Sequence, residues 1–403
     1  MKIVMVGPFG LRARGTMSVR ALPLARALVR RGHRVTLLLP PWQEPEDAGR
    51  TWDEAGVTIE NLPLPVGVPG WFHLRLTGAL VRRALALHPD VIHAFKPKAY
   101  AGLTHWELAH FHPRVPVVVD TDDWEGPGGW NDLQPYSALL KGFFTWQERW
   151  GLTHARAVTV ASRALQTLAW AQGGDPARVF YLPNGVEVPE SAGTEKLPGG
   201  RPTLLLYTRF FEFDLQRLWR IVARIREASP AVRLWVVGKG FFEEEKALLA
   251  LARGAGWRVA ESTLPAPDAD LVYAGWVPAG DLPGQFARAD VALYPFDDTL
   301  INRTKCPVKL LDLLAAGIPV VGEAVGQVAE ALAPQGSEAS AAGVLVPSGD
   351  EGAFVAAVLA LLVDDERRRR MGVQAARTAR ERFSWDRLAE IAEAAYAFAG
   401  AGK

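Results

Sequence analysis

Apolar positions alternate between two rhythms along the chain. Short runs of aliphatic and β-branched residues end in glycine, proline or aspartate, and each is followed by a stretch with apolar residues every three or four positions. The first run is Ile3 to Val6, ending in Gly7-Pro8-Phe9-Gly10. Beyond a loop that reaches Gly15, positions Val19, Leu22, Ala25, Leu28 and Val29 have helical spacing, and Gly32 closes that helix. RVTLLLP, from Arg34 to Pro40, is near-continuously apolar, as parallel strands covered on both faces tend to be. The chain therefore opens with a βαβ unit. The same pattern predicts a helix over 74–87, strands over 90–93 and 115–120, a helix over 139–153 and a strand over 157–161.

A stretch rich in Pro, Gly, Glu and Ser, PESAGTEKLPGGRPT, interrupts the pattern and predicts a linker over 188–201. A second α/β series follows: TLLLYT as a strand, a helix over 215–227, VRLWVVG as a strand, a helix over 242–253, then LVYAG, DVALYP and IPVVG as strands. The expected fold is α/β, with two Rossmann-like doubly wound domains facing a cleft, residues 1–187 and 202–380, followed by a C-terminal segment 381–403. Ligands in such sheets sit beyond the carboxyl ends of the strands, so the loops after strands are the informative ones.

Composition narrows this picture without changing it. A length of 403 residues suits two domains of about 200 residues each. The 45 Lys+Arg against 44 Asp+Glu give no surplus for a polyanion, so nucleic acid is not an expected partner. A single cysteine, Cys306, excludes an intrachain disulfide framework and a cysteine-rich zinc site, and points to the cytoplasm. The N-terminus lacks the long apolar stretch of a secretory signal. The longest apolar run, from Ala353 to Val363, is short for a bilayer span and reads as a buried helix.

The richest local chemistry lies between Ala289 and Glu323. A strand ends in a polar loop, Pro307 opens a helix whose first-turn amides suit an anion, and Gly317-Ile318-Pro319 stops it. Arg303, Lys305 and Lys309 place positive charge at that helix start, and Asp312 can accept hydrogen bonds from ribose hydroxyls. Lys309 and Asp312 equally suit a surface ion pair at i, i+3. Arg209 follows the first strand of the second series, where it can neutralise a diphosphate or pair with Glu212. Gly238-Lys239-Gly240 and Gly275-Trp276-Val277 follow two further strands. Asp120-Thr121-Asp122 has the spacing of a metal-binding DxD, an assignment set aside because the cationic helix start supplies the charge neutralisation a metal would bring.

Leu311 to Val321, LDLLAAGIPVV, resembles the donor-binding signature of the GT-B glycosyltransferases of family four, in which two acidic residues stand eight positions apart around a phrase like LEAMAxGxPVV. The resemblance gives Asp312 the ribose contact. The first acidic position falls on Thr304, a departure at the place that faces the transferred sugar, with Asp297 and Asp298 nearby. Arg209 matches the family arginine, whereas the lysine that should follow is replaced within Glu212-Phe213-Asp214, leaving Lys305, Lys309 or Lys239 to supply the second charge. Gly238 matches the GxG turn, Gly275, Trp276 and Val277 the stretch that meets the base, and Gly10 and Gly15 the glycine loop near the donor phosphates. Thr304, Lys305 and Val308 complete the expected donor site. Many relatives carry histidine where this chain has Asp122, which is therefore expected to orient the acceptor hydroxyl.

The resemblance implies a retaining, metal-independent hexosyltransferase without cofactor, using a UDP- or GDP-sugar, with residues 1–187 on the acceptor side, 202–380 binding the nucleotide sugar, Arg209, Lys309 and Asp122 as catalytic residues, and a closing helix over 381–403 that returns to the first domain. The acceptor is a glycan, lipid or small molecule. A silent nucleotide-sugar binder and a sugar-nucleotide epimerase are the alternatives. Aromatic residues between Trp124 and Trp150, among them Phe143, Phe144 and Trp146, are expected mostly in the core. Trp71, Phe72, Arg75, Arg82 and Arg83 are expected on an ordinary helix with a solvated basic face, with membrane contact at most peripheral, at the inner face.

Overall fold

The computed structural model describes residues 1–12, 15–67, 69–188, 200–333 and 341–401. Most of the linker predicted over 188–201 lies outside the described residues. The chain divides into two compact units. The first comprises Met1–Gly185, Thr304–Cys306 and Trp385–Lys403, and the second Val186–Arg303 and Pro307–Ser384.

The first unit holds eight strands: β1 Lys2–Val6, β2 Arg34–Leu39, β3 Thr51–Glu54, β4 Val57–Asn61, β5 Val91–Phe95, β6 Val117–Thr121, β7 Ala157–Val160 and β8 Val179–Tyr181. Their order is β3-β4-β2-β1-β5-β6-β7-β8, with every pairing parallel except β3 with β4. Chain progression reverses between β1 and β5, which is the switch point of this sheet. β5, β6 and β7 are buried at every position because helices cover both faces, and this explains their unbroken apolar runs.

One face carries helices Leu22–Arg30 and Trp385–Ala401, whose Leu24, Leu28, Leu388, Ala392 and Tyr396 share a core with Ile3, Met5 and Leu37 of the sheet. Helices Pro69–Ala86, Ala99–Phe111 and Ala138–His154 pack side by side elsewhere on the unit. At the end of the first helix Gly32 has φ 90°, and two crossed bonds close the turn: His33 N–H to the Leu28 carbonyl at 3.1 Å and Gly32 N–H to the Val29 carbonyl at 2.9 Å. The helix does not begin where its apolar spacing suggests. Thr16–Ala21 forms a π-helical turn that leads into Leu22–Arg30, and the extra residue in that turn leaves Val19 exposed.

The second unit holds seven strands, all parallel: β9 Thr203–Tyr207, β10 Arg233–Val237, β11 Val259–Glu261, β12 Leu271–Gly275, β13 Val291–Tyr294, β14 Val320–Glu323 and β15 Gly343–Val346. Their order is β11-β12-β10-β9-β13-β14-β15, so its switch point lies between β9 and β13. The run at 353–363 forms helix Glu351–Val363, with Phe354, Val358 and Leu361 buried. Among the described residues no helix is long and apolar enough to cross a membrane.

The unit boundaries in the structure differ by a few residues from those expected from the sequence. The closing helix begins at Trp385 rather than at 381, because Ser384 leaves helical backbone (φ −67°, ψ 141°) after helix Asp365–Phe383. The second unit begins at Val186, whose N–H donates to the Phe383 carbonyl at 2.8 Å.

Candidate functional site

In the second unit, β9 delivers Tyr207-Thr208-Arg209 to the switch point. Phe210 takes the left-handed conformation (φ 70°), supported by its N–H donating to Thr208 Oγ1 at 2.8 Å, and Arg209 is turned out to solvent with its guanidinium 5.5 Å from the centre of the Phe241 ring. Gly238, after β10, has φ 123°, and a Cβ there would stand 1.9 Å from the Thr208 carbonyl oxygen, so only glycine lets this turn cross the end of β9. Its N–H donates to the Gly275 carbonyl at 2.7 Å, which ties the end of β12 to the same place. Trp276 is exposed and Val277 buried.

Helix Val308–Ala315 starts after Pro307 and brings Lys309 and Asp312 to Tyr207. Lys309 Nζ lies 3.5 Å from the centre of the Tyr207 ring, and the Tyr207 hydroxyl donates to Asp312 Oδ2 at 3.4 Å. Burial pushes the Asp312 carboxyl up to about 6 against the opposing charge of Lys309 and the Tyr207 hydrogen bond. Tyr207 is raised by burial and then by the Asp312 charge. Tyr207, Thr208, Glu212, Tyr294, Phe296 and Lys309 line a small crevice there. Lys309 and Asp312 therefore meet through an aromatic ring rather than only as neighbours on a helix surface.

The polar loop after β13 is held by groups that composition did not single out. Glu323, at the end of β14 and fully buried, takes both terminal nitrogens of Arg217 at 2.6 and 2.8 Å, the Phe296 N–H at 2.6 Å and the Gly349 N–H at 2.7 Å. Arg217 also holds Asp297 at 2.5 Å, and Asp298 pairs with Arg303. Both carboxylates near Thr304 are thus engaged by arginine. Asp214, within the stretch where the resembling family has lysine, caps helix Leu215–Ala228 by accepting from the Arg217 N–H at 2.7 Å. Its structural duty explains an acid where a cation was expected.

In the first unit, Asp122 follows β6. Thr16 Oγ1 donates to its Oδ2 at 2.9 Å, and Lys96 Nζ lies 3.2 Å from its Oδ1. Lys96 also contacts Asp123 Oδ2 at 3.0 Å and Glu125 Oε1 at 3.1 Å, while Lys98 Nζ meets Glu125 Oε2 at 2.8 Å and Asn131 Oδ1 at 2.5 Å. Burial foremost, then the charges of Asp123 and Asp120, raise Asp122 to about 6 in spite of Lys96 and Arg20. Asp120 belongs to Arg20, at 2.7 and 2.6 Å, and to Thr159 Oγ1 at 2.6 Å. Cations and hydroxyls thus engage both carboxylates of the DxD sequence.

Thr304 and Lys305 are counted with this first unit. Thr304 is fully buried, its carbonyl accepting from Ser162 Oγ at 2.7 Å, and the charge of Lys305 bears on Asp123. Gly10 faces Glu44, whose carboxylate oxygen would stand 2.2 Å from an added Cβ, so an acid borders the glycine loop at that point. Gly15 opens the π-helical turn with φ −61°, which any residue adopts. Arg209, Gly238, Gly275, Val308, Lys309 and Asp312 gather at the carboxyl ends of the second sheet. Asp122, Gly10, Gly15, Thr304 and Lys305 belong to the first unit. Of the aromatic residues, Trp124 and Phe144 are buried, whereas Phe143, Trp146 and Trp71 are exposed and Arg83 pairs with Glu60.

Residues 15–185 match the family described as glycosyl transferase 4-like domain, and residues 201–364 match glycosyl transferases group 1. The GDP-mannose-dependent alpha-(1-6)-phosphatidylinositol monomannoside mannosyltransferase of Mycobacterium tuberculosis is 25% identical over 402 residues, covering 96% of this chain and 95% of that protein. The phosphatidyl-myo-inositol mannosyltransferase of Mycobacterium leprae is 26% identical over 413 residues, covering 96% and 94%. Among solved structures, sucrose-phosphate synthase of Thermosynechococcus elongatus has a TM-score of 0.72 at 17% identity, covering 100% of both chains. Anabaena HepE, solved in complex with UDP, has a TM-score of 0.69 at 17% identity over 98% of this chain and 99% of that one.

Proposed function

Because the chain belongs to the group 1 glycosyltransferases, enzymes of the two-domain Rossmann-like GT-B fold with nucleotide-sugar donors, we propose that it moves a hexosyl group with retention from a GDP- or UDP-sugar to a hydroxyl of a lipid-linked acceptor. The observation that carries the donor half is the meeting of Lys309, Tyr207 and Asp312 at the switch point between β9 and β13, with the Arg209 charge bearing on Tyr207. The names of the mycobacterial relatives favour GDP-mannose and a phosphatidylinositol-linked acceptor. Exposed Trp71, Leu74, Leu139 and Trp146 on the first unit suit peripheral contact with a lipid surface.

In this scheme the bond between the anomeric carbon and the diphosphate oxygen breaks while the acceptor hydroxyl bonds to the same face of that carbon, and the hydroxyl proton leaves on the diphosphate. Arg209, Lys309 and the amides opening helix Val308–Ala315 stabilise the charge that develops on the leaving group, a task that needs no metal ion. Asp312 accepts from the ribose hydroxyls. Asp122 accepts from the acceptor hydroxyl and so sets its direction of attack.

Thermal-shift measurements with GDP, UDP, ADP, dTDP and their sugar conjugates test the donor. One base series should stabilise the protein, by about 2.7 kcal/mol at a hundredfold excess over Kd. No shift with any of them at millimolar concentration would refute the donor assignment.

The Asp312 carboxyl adds a pH signature. With a folded-state value of about 6 it is charged and accepting above that pH and protonated below it. Donor affinity should therefore fall as pH drops through 6, and titration calorimetry should show that Asp312→Asn flattens this dependence. Stability runs the other way. A carboxyl raised on folding binds its proton more tightly in the native state, so this contribution is present at low pH and lost as pH rises toward and past 6.

A further inference from the structure

We propose that Lys96 is a positioning residue that holds the Asp122 carboxylate in the orientation and charge state in which it receives a hydroxyl. The inference rests on the acceptor-side role of Asp122 and adds the residue through which that role is exercised.

Lys96 follows β5, one side of the switch point in the first sheet, and is almost wholly buried. Its φ of 59°, with 50° at Ala99, puts two non-glycine residues of one short turn in the left-handed region, a conformation that persists only where surroundings over-determine it. Here they do. Lys98 N–H donates to the Lys96 carbonyl at 2.8 Å, and Gln147, on helix Ala138–His154, accepts from the Ala99 N–H at 2.9 Å and donates to the Ala99 carbonyl at 3.1 Å. The turn aims the ammonium at three carboxylates, Asp122, Asp123 and Glu125, all within 3.2 Å. Lys98 shares only the last of them.

Asp122 is thereby gripped from two sides. Thr16 fills Oδ2, while Oδ1 is buried, lies beside the Lys96 charge and makes no hydrogen bond among the described residues. Buried carboxylate oxygens are nearly always hydrogen-bonded, so Oδ1 marks where a donor belongs. A hydroxyl supplies such a donor, and Lys96 keeps the oxygen anionic for it.

The groups that bear on Asp122 come from every neighbouring element: Arg20 from the π-helical turn, Lys96 from the β5 loop, and Asp120 and Asp123 from its own strand and loop. Glu125, Lys98, Glu148 and Lys305 surround that set and act on its members. Glu148, pushed up to about 8 chiefly by burial, meets the Glu125 N–H with one oxygen while the other has no hydrogen-bond partner among the described residues. Removing Lys96 therefore leaves Asp122 facing the charges of Asp120 and Asp123, opposed by Arg20.

Carbon-13 NMR titration of the intact chain, labelled at aspartate Cγ, tests the link. The resonance absent from Asp122→Asn should titrate near pH 6 in the wild type. Lys96→Met should raise that midpoint by at least one pH unit, a tenfold change in proton affinity, and Lys96→Arg should restore it. Lys96→Gln, a donor without the charge, takes the place of the methionine variant if that one unfolds. An unmoved midpoint in the folded uncharged variant overturns the proposal. With GDP-mannose and phosphatidylinositol vesicles as substrates, Lys96→Met should lower kcat at least tenfold with the donor KM unchanged. If Asp122→Asn turns over like the wild type, the acceptor role of Asp122 fails, and the titration still decides whether Lys96 governs that carboxyl.

Discussion

Arg20→Met should destabilise the first unit by about 3–5 kcal/mol, because it strands the buried Asp120 carboxylate without its cation. Arg20 spreads its donors over five contacts. Nε and one terminal nitrogen take Asp120, that nitrogen also reaches the Leu182 carbonyl at 2.9 Å, and the other meets the Pro183 carbonyl at 3.1 Å and Asn184 Oδ1 at 3.0 Å. Lysine cannot reproduce that planar fork, so Arg20→Lys should recover little of the loss. Removing both charges together, as Arg20→Met with Asp120→Leu, should cost less than the arginine change alone. Urea denaturation of the three variants measures this. Equal losses in Arg20→Met and in the double variant would place the energy in the backbone contacts rather than in the ion pair.

That network shows what a sequence hides. Arg20 lies among several arginines of an amphipathic stretch, and an arginine's ordinary place is in solvent. Its partner is 100 residues away, and the carboxylates around Lys96 are 26 to 29 residues away, so nothing local announces that either cation is buried. By contrast, β5 and β6 are legible because strands covered on both faces need apolar residues at every position. Helix Ala99–Phe111 escapes notice for the opposite reason. It packs against both Pro69–Ala86 and Ala138–His154, so it carries no single apolar stripe. The β3–β4 hairpin turns through Ala55 and Gly56, with φ of 54° and 82°, where Asn-Gly would have been the recognisable pair.

The candidate donor residues divide along the same line. Lys309 and Asp312 stand out because Pro307 and Gly317 bracket a short helix after a strand, a pattern written in neighbouring residues. Glu323 was invisible as the anchor of the loop after β13, although an acid ending the apolar run IPVVG was its one local mark. Asp297 and Asp298 looked available because their arginine partners are set by the fold, and in the case of Arg217 by a helix 80 residues earlier.

Arg209→Ala combined with Lys309→Ala should lower kcat/KM about a thousandfold, since each charged contact to a phosphate is worth about 1.5–3 kcal/mol. Either change alone should cost about ten- to a hundredfold by the same measure. The loss should fall on kcat more than on the KM of the intact sugar nucleotide, because the charge these groups meet grows as the diphosphate departs. The free diphosphate product carries that charge fully, so its affinity should fall in parallel, and titration of the protein with GDP or UDP reads this without an acceptor. Stability is the control. Arg209 is exposed and should cost less than about 0.5 kcal/mol, and losing the Lys309 contact with the Tyr207 ring should cost about 0.5–1 kcal/mol. A folded double variant that binds nucleoside diphosphate like the wild type would place the diphosphate away from the β9–β13 switch point. A variant that loses the diphosphate but still binds the free nucleoside would instead leave the base and ribose at Gly275 and Asp312, with these two cations as the groups that hold the phosphates.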